Sequence, residues 1–559
     1  MEEKITSAKI FKIIFCNRET SYNDIVQPTI EFIPDSDSWN DFKYKSTYRY
    51  RIIIPASPII EGTLFLGFVS KSELVEESGR LKFSVDQVDA EQLPTFFTLQ
   101  GGMKEYRQFI KKRPLKEANL LLIALNDLVA LKGTPKASKL IDEAMKTKVF
   151  NLAFMRDNER FFAFNNAESL LDGLEEESLE GISSHFSLTY QLAGFDEPNS
   201  FHIDFEATSI LPKRLSLLIG RNGLGKSQAL HAIVQALLKG NDTFEDREQG
   251  RPRISRLLAI ATPGETANTF PPERKNKRIK YRRLTLNRSG RTKAGRSFCD
   301  ICYQLARNEE DIGQKRRWQL FCQSSKVLND SKSIYIEISE KPSVKTSKVV
   351  EVNNRLYYPL LKLGSGGEQE MLEVSGALIS NANPVYFIDG HVYPMSSGQL
   401  AFIKFLAQAC LFIENGSLVL LDEPETHLHP NFISDFVKIL NRLLELTGSY
   451  SIIATHSAYF VREVPRTQVH VFKQSKSKRV VDIMKPTLKT FGADVGALSY
   501  FVFEDEITNG LVDEIIIKLN EKGRTKAKLI VKELENELSS DVIMYLRRKL
   551  DIGDNIENN

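Results

Sequence analysis

Leu215–Leu230, LSLLIGRNGLGKSQAL, is the stretch whose reading decides the fold. Leu215, Leu217, Leu218 and Ile219 make an apolar run with the length and composition of a buried strand. It enters Gly220-Arg221-Asn222-Gly223-Leu224-Gly225-Lys226-Ser227, a G-x-x-x-x-G-K-[ST] pattern, and then a helical segment. Glycines let backbone N–H groups close round phosphate oxygens, and the helix behind them turns its positive end to the same anion. Gly220, Arg221, Asn222, Gly223 and Gly225 are therefore read as the phosphate cradle. Lys226 would reach the β- and γ-phosphates, and the Ser227 hydroxyl would ligate Mg²⁺. The implied ligands are ATP and Mg²⁺.

Three downstream stretches extend this reading. Ser417–Leu421 is another apolar strand, and it ends in Asp422-Glu423-Pro424. Carboxylates at the carboxyl end of a strand in an α/β sheet lie beside the phosphate loop. Asp422 is read as the Mg²⁺ carboxylate and Glu423 as the residue that orients or deprotonates the attacking water. Such a base contributes about 10²–10⁴ in rate. Tyr450–Thr455 is a third strand, ending at His456, which could donate a hydrogen bond to the γ-phosphate. Two segments compete as a second phosphate-contacting loop: Leu363–Gln369 and Met395-Ser396-Ser397-Gly398-Gln399. The second runs directly into the helical LAFIKFLAQACLFI, whose N-terminus suits an anion, and it is preferred.

The rest of the chain offers fewer chemical signals. Before the nucleotide region, KIFKIIF, YRYRIIIP and GTLFLGFV read as strands, and from about Pro94 the pattern turns helical. Between Glu273 and Arg296 lie eleven Lys or Arg residues and one acidic residue. That segment suits DNA or RNA; a solvated arm, or one reaching a partner's nucleotide, fits as well. Cys299 and Cys302 make a C-x-x-C with Cys322 downstream, but a second ligand pair is missing and core packing is the better reading. Composition, with 42% hydrophobic and 26% charged residues, is that of an ordinary globular chain. With no apolar run long enough to span a bilayer and five scattered cysteines, a cytoplasmic protein with no membrane partner is expected.

GRNGLGKS, MSSGQ, LVLLDEP with the following ETHLHP, and ATHS resemble, in this order, the ABC-type ATPase superfamily over roughly residues 183–474. DEPETHLHP followed by ATHS looks like its soluble, SMC-related and OLD-like members. PTFFTLQGGMKEYRQFI, ALNDL and YRRLTLNRSGR are similar to bacterial anti-phage defence ATPases of the Septu kind. The resemblance implies an ATP-sandwich dimer in which Ser396, Ser397, Gly398 and Gln399 of one head close on the nucleotide of the other. It also implies a separately encoded effector, such as an HNH-type nuclease. Met395 and Ser397 depart from the signature, and no Q-loop glutamine occupies Ala261–Glu265.

The expected fold is α/β: an ABC-type P-loop head with an inserted basic segment, an N-terminal α+β domain and a C-terminal helical region. The divisions are 1–182, 183–475 with the basic insertion at about 265–350, and 476–559. The expected function is ATP hydrolysis that gates a partner effector in nucleic-acid-linked defence. An SMC-related DNA-repair ATPase, a nucleotide-gated scaffold with little turnover and a transport ATPase stand as rivals.

Overall fold

Seven strands form the sheet on which the nucleotide motifs sit: β9 (Leu215–Gly220), β11 (Arg256–Ala261), β12 (Lys280–Thr285), β20 (Leu418–Asp422), β21 (Tyr450–Thr455), β22 (Val469–Gln474) and β23 (Val481–Met484). This is a computed structural model. It describes residues 11–17, 19, 27–35, 44–55, 57–69, 87–132, 134, 137–155, 157–171, 182–261, 269–273, 278–285, 297–308, 310–313, 315–327, 333–341, 348–364, 370, 373–374, 377–379, 382–427, 430–475, 479–503, 510–534, 537–538 and 540–550. The strand order is β12-β11-β20-β21-β9-β22-β23. Every neighbouring pair is parallel except β22 with β23. Near-continuous apolar runs in β9, β11, β20 and β21 follow from burial on both faces.

Because successive side chains of a strand point to opposite faces, the runs divide between two cores. Leu218, Leu418, Leu420, Tyr450, Ile452 and Ala454 belong to one; Leu215, Leu217, Ile219, Val419, Leu421 and Ile453 belong to the other. The first core is continuous with Phe15, Phe32 and Phe96 of an N-terminal sheet. That sheet comprises β1 (Lys12–Cys16), β2 (Thr29–Pro34), β3 (Thr47–Ile53), β4 (Ile60–Phe68), β5 (Gln87–Asp89) and β6 (Phe96–Leu99), in the order β5-β1-β2-β3-β4-β6. The chain turns helical later than the sequence reading places it, because Phe96–Leu99 still pairs with β4. Helices α1 (Met103–Lys111), α2 (Leu115–Ala124), α3 (Leu128–Lys132), α4 (Ser138–Lys146), α5 (Asn158–Asn166) and α6 (Glu168–Leu171) follow. The shared core runs across the 182/183 division.

A small antiparallel sheet of β7 (His185–Tyr190), β8 (Asn199–Asp204) and β10 (Phe244–Asp246) flanks β9 and helix α7 (Lys226–Lys239). The second core is closed by α8 (Phe298–Arg307), α9 (Arg317–Ser325), α10 (Ser397–Phe412), α11 (Pro430–Thr447), α12 (Ala458–Val461) and α13 (Val495–Phe503). Beside it lie a hairpin of β13 (Asp311–Ile312) and β14 (Lys315–Arg316) and an antiparallel sheet of β15 (Ile334–Ile338), β16 (Val350–Val352), β17 (Arg355–Pro359), β18 (Val385–Ile388) and β19 (His391–Pro394), in the order β16-β17-β15-β18-β19. Helices α14 (Gly510–Glu521), α15 (Arg524–Glu533) and α16 (Ser540–Lys549) enclose a separate small core around Leu519, Val531 and Leu546. Among the described residues no helix is long and apolar enough to cross a membrane.

The basic segment differs from its reading as an insertion. Residues 280–285 pair in parallel register with β11 as the edge strand of the main sheet, Arg256 opposite Lys280 and Ala261 opposite Thr285. Tyr281 and Leu284 are buried beneath it, so the apolar residues interleaved with the charges place this stretch in the sheet. Residues 274–277 and 286–296, which hold most of the remaining basic side chains, lie outside the described residues. The 476 division likewise falls inside the main sheet, since β23 pairs with β22.

Candidate functional site

Adjacent parallel strands bring their carboxyl ends to one edge, and here β20, β21 and β9 are neighbours. Asp422 lies opposite Ala454, and Thr455 opposite Ile219. The phosphate loop, the Asp422-Glu423 pair and His456 therefore leave the sheet side by side, although they are far apart in sequence.

The loop itself requires glycine at two points. At Gly220 a Cβ would stand 2.4 Å from the Phe472 carbonyl oxygen. Gly225 adopts φ +88°, a left-handed conformation costly for other residues, and delivers the chain into α7. Arg221, Asn222 and Gly223 are exposed, while Lys226 is buried. The Lys226 ammonium donates to the carbonyls of Gly220 (2.8 Å) and Arg221 (3.0 Å). Burial lowers its pKa, against the pull of Glu423, Glu425 and Asp422.

Ser227 Oγ donates to Asp422 Oδ1 at 2.9 Å, and Thr269 Oγ1 donates to Oδ2 at 2.7 Å. Burial nevertheless raises the Asp422 carboxyl pKa, with Glu423 adding to the effect and the two hydroxyls and Lys226 opposing it. A hydroxyl and a carboxylate are hard oxygen donors of the kind Mg²⁺ takes. A divalent cation here would offset the cost of burying Asp422, so the residues fit the implied metal.

Glu423 sits at φ +46°, a strained conformation for a non-glycine residue that is concentrated at functional sites. Its N–H donates to Ala454 O at 2.9 Å, and Thr426 closes the turn behind it through Oγ1 to Glu423 O at 3.0 Å. His456 Nδ1 lies 3.8 Å from Glu423 and 3.1 Å from Glu425. Hydrogen bonding to Glu423 raises the imidazole pKa, as do the charges of Glu425 and Glu423; burial and Lys226 act the other way.

The preferred signature segment is built as a helix start. Ser396 N-caps α10 in a reciprocal capping box with Gln399: Ser396 N–H donates to Gln399 Oε1 at 3.0 Å, and Gln399 N–H to Ser396 Oγ at 3.3 Å. Ser396 and Ser397 are exposed, and Gly398 packs where a Cβ would meet Phe432 at 3.2 Å. The opposite end of α10 is clamped. Arg317 donates to the carbonyls of Cys410 (3.1 Å) and Ile413 (2.6 Å), and Arg256 to Phe412 O (2.6 Å). The competing segment is only partly described, as residues 365–369 lie outside the described set.

Two residues at this edge were not legible as site residues. Thr269 gives no signal beyond being one hydroxyl in a polar stretch. Glu425 stands in the ETHLHP turn, two positions after Glu423, and that spacing was a usable clue. The C-x-x-C thiols lie elsewhere, on α8. Burial pushes the Cys299 thiol up to about 12 and raises Cys302 as well, so both are held protonated and poor as metal ligands. Among the described residues no group of three or more His, Cys, Asp or Glu side chains is disposed to hold a metal.

Comparison with known proteins bears on the class of the chain. The family described as AAA domain, putative AbiEii toxin, Type IV TA system matches residues 303–462, a span that holds 396–399, 422–425 and 456 but not the phosphate loop. The chain is 26% identical to protein ea59 of Escherichia phage lambda over 492 residues, 85% of this chain and 86% of that protein. It is 23% identical over 179 residues to the probable ABC transporter ATP-binding protein p29 of Mesomycoplasma hyorhinis, 30% of this chain and 68% of that one. The crystal structure of UvrA2 from Deinococcus radiodurans aligns with 61% of this chain at a TM-score of 0.27 and 11% identity. The chain spans 40% of that protein's length. These likenesses support an ATPase-type nucleotide-binding domain in the chain.

Proposed function

We propose that the chain binds Mg-ATP at the edge formed by β9, β20 and β21 and hydrolyses it in a head dimer. One observation carries this reading: Lys226, Ser227, Asp422, Glu423 and His456, from three strand ends, converge there, with Ser227 2.9 Å from Asp422. Lys226 would turn from the loop carbonyls to the phosphates, while Ser227 and Asp422 would hold Mg²⁺, which would supply charge neutralisation. Glu423 orients the attacking water, and His456 binds the terminal phosphate. The exposed Ser396 and Ser397, with Gly398 and Gln399 behind them, offer a helix N-terminus to the nucleotide of a second copy.

The dimer would gate a separately encoded effector, of which an HNH-type nuclease is one kind, in conflict between phage and host. The matching family is described as AAA domain, putative AbiEii toxin, Type IV TA system, and that description supports this setting. Binding of DNA or RNA by 273–296 would fall mainly to the basic residues outside β12. The pure chain should hydrolyse ATP and leave DNA and RNA intact, as every strong motif serves the nucleotide.

Glu423→Gln tests the reading. Turnover should fall about 10²–10⁴-fold while ATP remains bound, because Lys226, Ser227 and Asp422 are untouched. Light scattering should then show an ATP-dependent rise in mass. A variant that binds ATP without any change in assembly would refute the sandwich.

A further inference from the structure

We propose that Glu425 is the positioning carboxylate of the switch histidine, and that it locks the Glu423 turn and the end of β21 into one unit. One oxygen, Glu425 Oε1, receives the Thr455 hydroxyl at 2.6 Å and the His456 backbone N–H at 2.6 Å, and stands 3.1 Å from His456 Nδ1. The other oxygen, Oε2, is buried with no hydrogen-bond partner among the described residues. The side chain is 6% exposed. A buried carboxylate with one orphaned oxygen is costly, and a hydrophobic or amide side chain would join two strand ends at less expense. What an acidic residue adds over these is negative charge beside the imidazole. The inference rests on the ATPase reading for its kinetic consequence but not for its geometry.

The consequence follows from the tautomer. A neutral imidazole that carries its proton on Nδ1, the nitrogen 3.1 Å from Glu425 Oε1, has a bare Nε2 and can only accept a hydrogen bond there. Nε2 donates to an anionic phosphate oxygen only when the ring is charged. The titratable groups facing His456 are Glu423 and Glu425 on the turn after β20 and Lys226 at the head of α7. The two carboxylates favour the charged ring and the ammonium disfavours it. Glu425 thus orients the ring and helps keep it a donor, while the same side chain fixes the turn that sets Glu423.

The test uses the full chain and its Glu425→Gln and Glu425→Ala variants. The amide oxygen of Gln can accept the same bonds without the charge, whereas Ala removes both. Glu425→Ala should lower kcat about 10- to 100-fold, the loss typical when an outer partner that orients a functional histidine is removed. ATP affinity should stay within about threefold, since the loop and Mg²⁺ residues remain. Glu425→Gln should recover most of the rate at low pH, with the alkaline fall in kcat moved to lower pH.

Imidazole ¹⁵N spectra without nucleotide, with His456 assigned by a His456→Gln difference, should show the Nδ1–H form in the parent and a mixture in Glu425→Ala. Wild-type kcat with an unmoved pH limb in Glu425→Ala, or an unchanged His456 spectrum, would overturn the proposal. If the parent chain does not hydrolyse ATP, the hydrolysis reading fails, and the spectra still decide the role of Glu425.

Discussion

Two clusters of charge lie on the same fold and behave oppositely. At the far end of α10, Glu414 is surrounded by Arg107 (3.1 Å), Arg317 and Arg256 (4.0 Å), and the arginines lower its pKa although burial acts the other way. Arg317 and Arg256 also take up the last carbonyls of α10, so almost every charge is answered within the chain. At the nucleotide edge, burial dominates instead: Asp422 and Glu425 have raised pKa values and Lys226 a lowered one. Charges left in tension with their surroundings mark a site completed by a ligand, while charges that neutralise each other mark a structural joint. Dense charge alone does not separate the two; between these two clusters the direction of the carboxyl pKa shifts also differs.

The sharpest break would come from exchanging the roles of the clusters. Lys226→Ala should cost about 10²–10³ in turnover, as loss of one donor to a developing anion does, with little change in stability. Asp422→Asn should also abolish turnover while leaving stability equal or higher, because it removes a carboxylate that burial disfavours. A large drop in melting temperature for Asp422→Asn would place that residue with the structural joint.

Glu414→Ala should do the reverse. It strands buried arginines, and breaking such a cluster costs about 3–5 kcal/mol, measurable by denaturant unfolding. Its effect on ATP affinity should be small. A stable but inactive Glu414→Ala chain would mean that the joint serves the nucleotide directly.

A smaller effect concerns Asp127 in the N-terminal region, fully buried beside the Tyr106 hydroxyl at 2.8 Å. Burial raises its pKa from 3.8 to about 7. A carboxyl that binds its proton more tightly when folded contributes stability below its unfolded pKa, and that contribution is lost as pH rises through about 7. Melting temperature should therefore fall between these values in the parent chain and vary less in Asp127→Asn. Equal slopes would assign the pH dependence elsewhere.

The smallest change is expected at β12. Lys280 is paired with Glu159, and Arg282 with Glu273 at 3.0 Å and with the face of Phe412. Replacing both with Ala should leave turnover unchanged. Any salt slope of nucleic-acid binding should move by less than one phosphate contact, roughly 0.7–0.9. Neutralising Arg288, Arg291, Lys293 and Arg296 should lower that slope by more if the segment binds nucleic acid. The opposite ranking would show that the β12 pairs open for a ligand.

What was legible in sequence was local. The strand, phosphate loop and helix from Leu215 to Lys239 follow from an apolar run, glycines at left-handed positions and an amphipathic repeat capped by Gly240. The apolar strands ending in Asp422-Glu423 and His456 could be placed at a sheet edge for the same reason. Each of those inferences needs only neighbouring residues. The basic segment misled because charge dominates composition, while strand pairing depends on the backbone and on Tyr281 and Leu284 between the charges.

Tertiary structure alone decided which side chains meet across the sheet. That β21 lies between β20 and β9 brings Glu425 to His456, 31 positions along the chain. It could not be read from either motif, because strand order is a property of how apolar faces are shared. Thr269 reaches Asp422 across 153 positions, and three arginines from separate elements converge on Glu414. Such contacts have no periodicity and no spacing to announce them. They arise where packing of the two cores happens to bring buried polar atoms within bonding distance, and burial then fixes whether each charge is answered or left for a ligand.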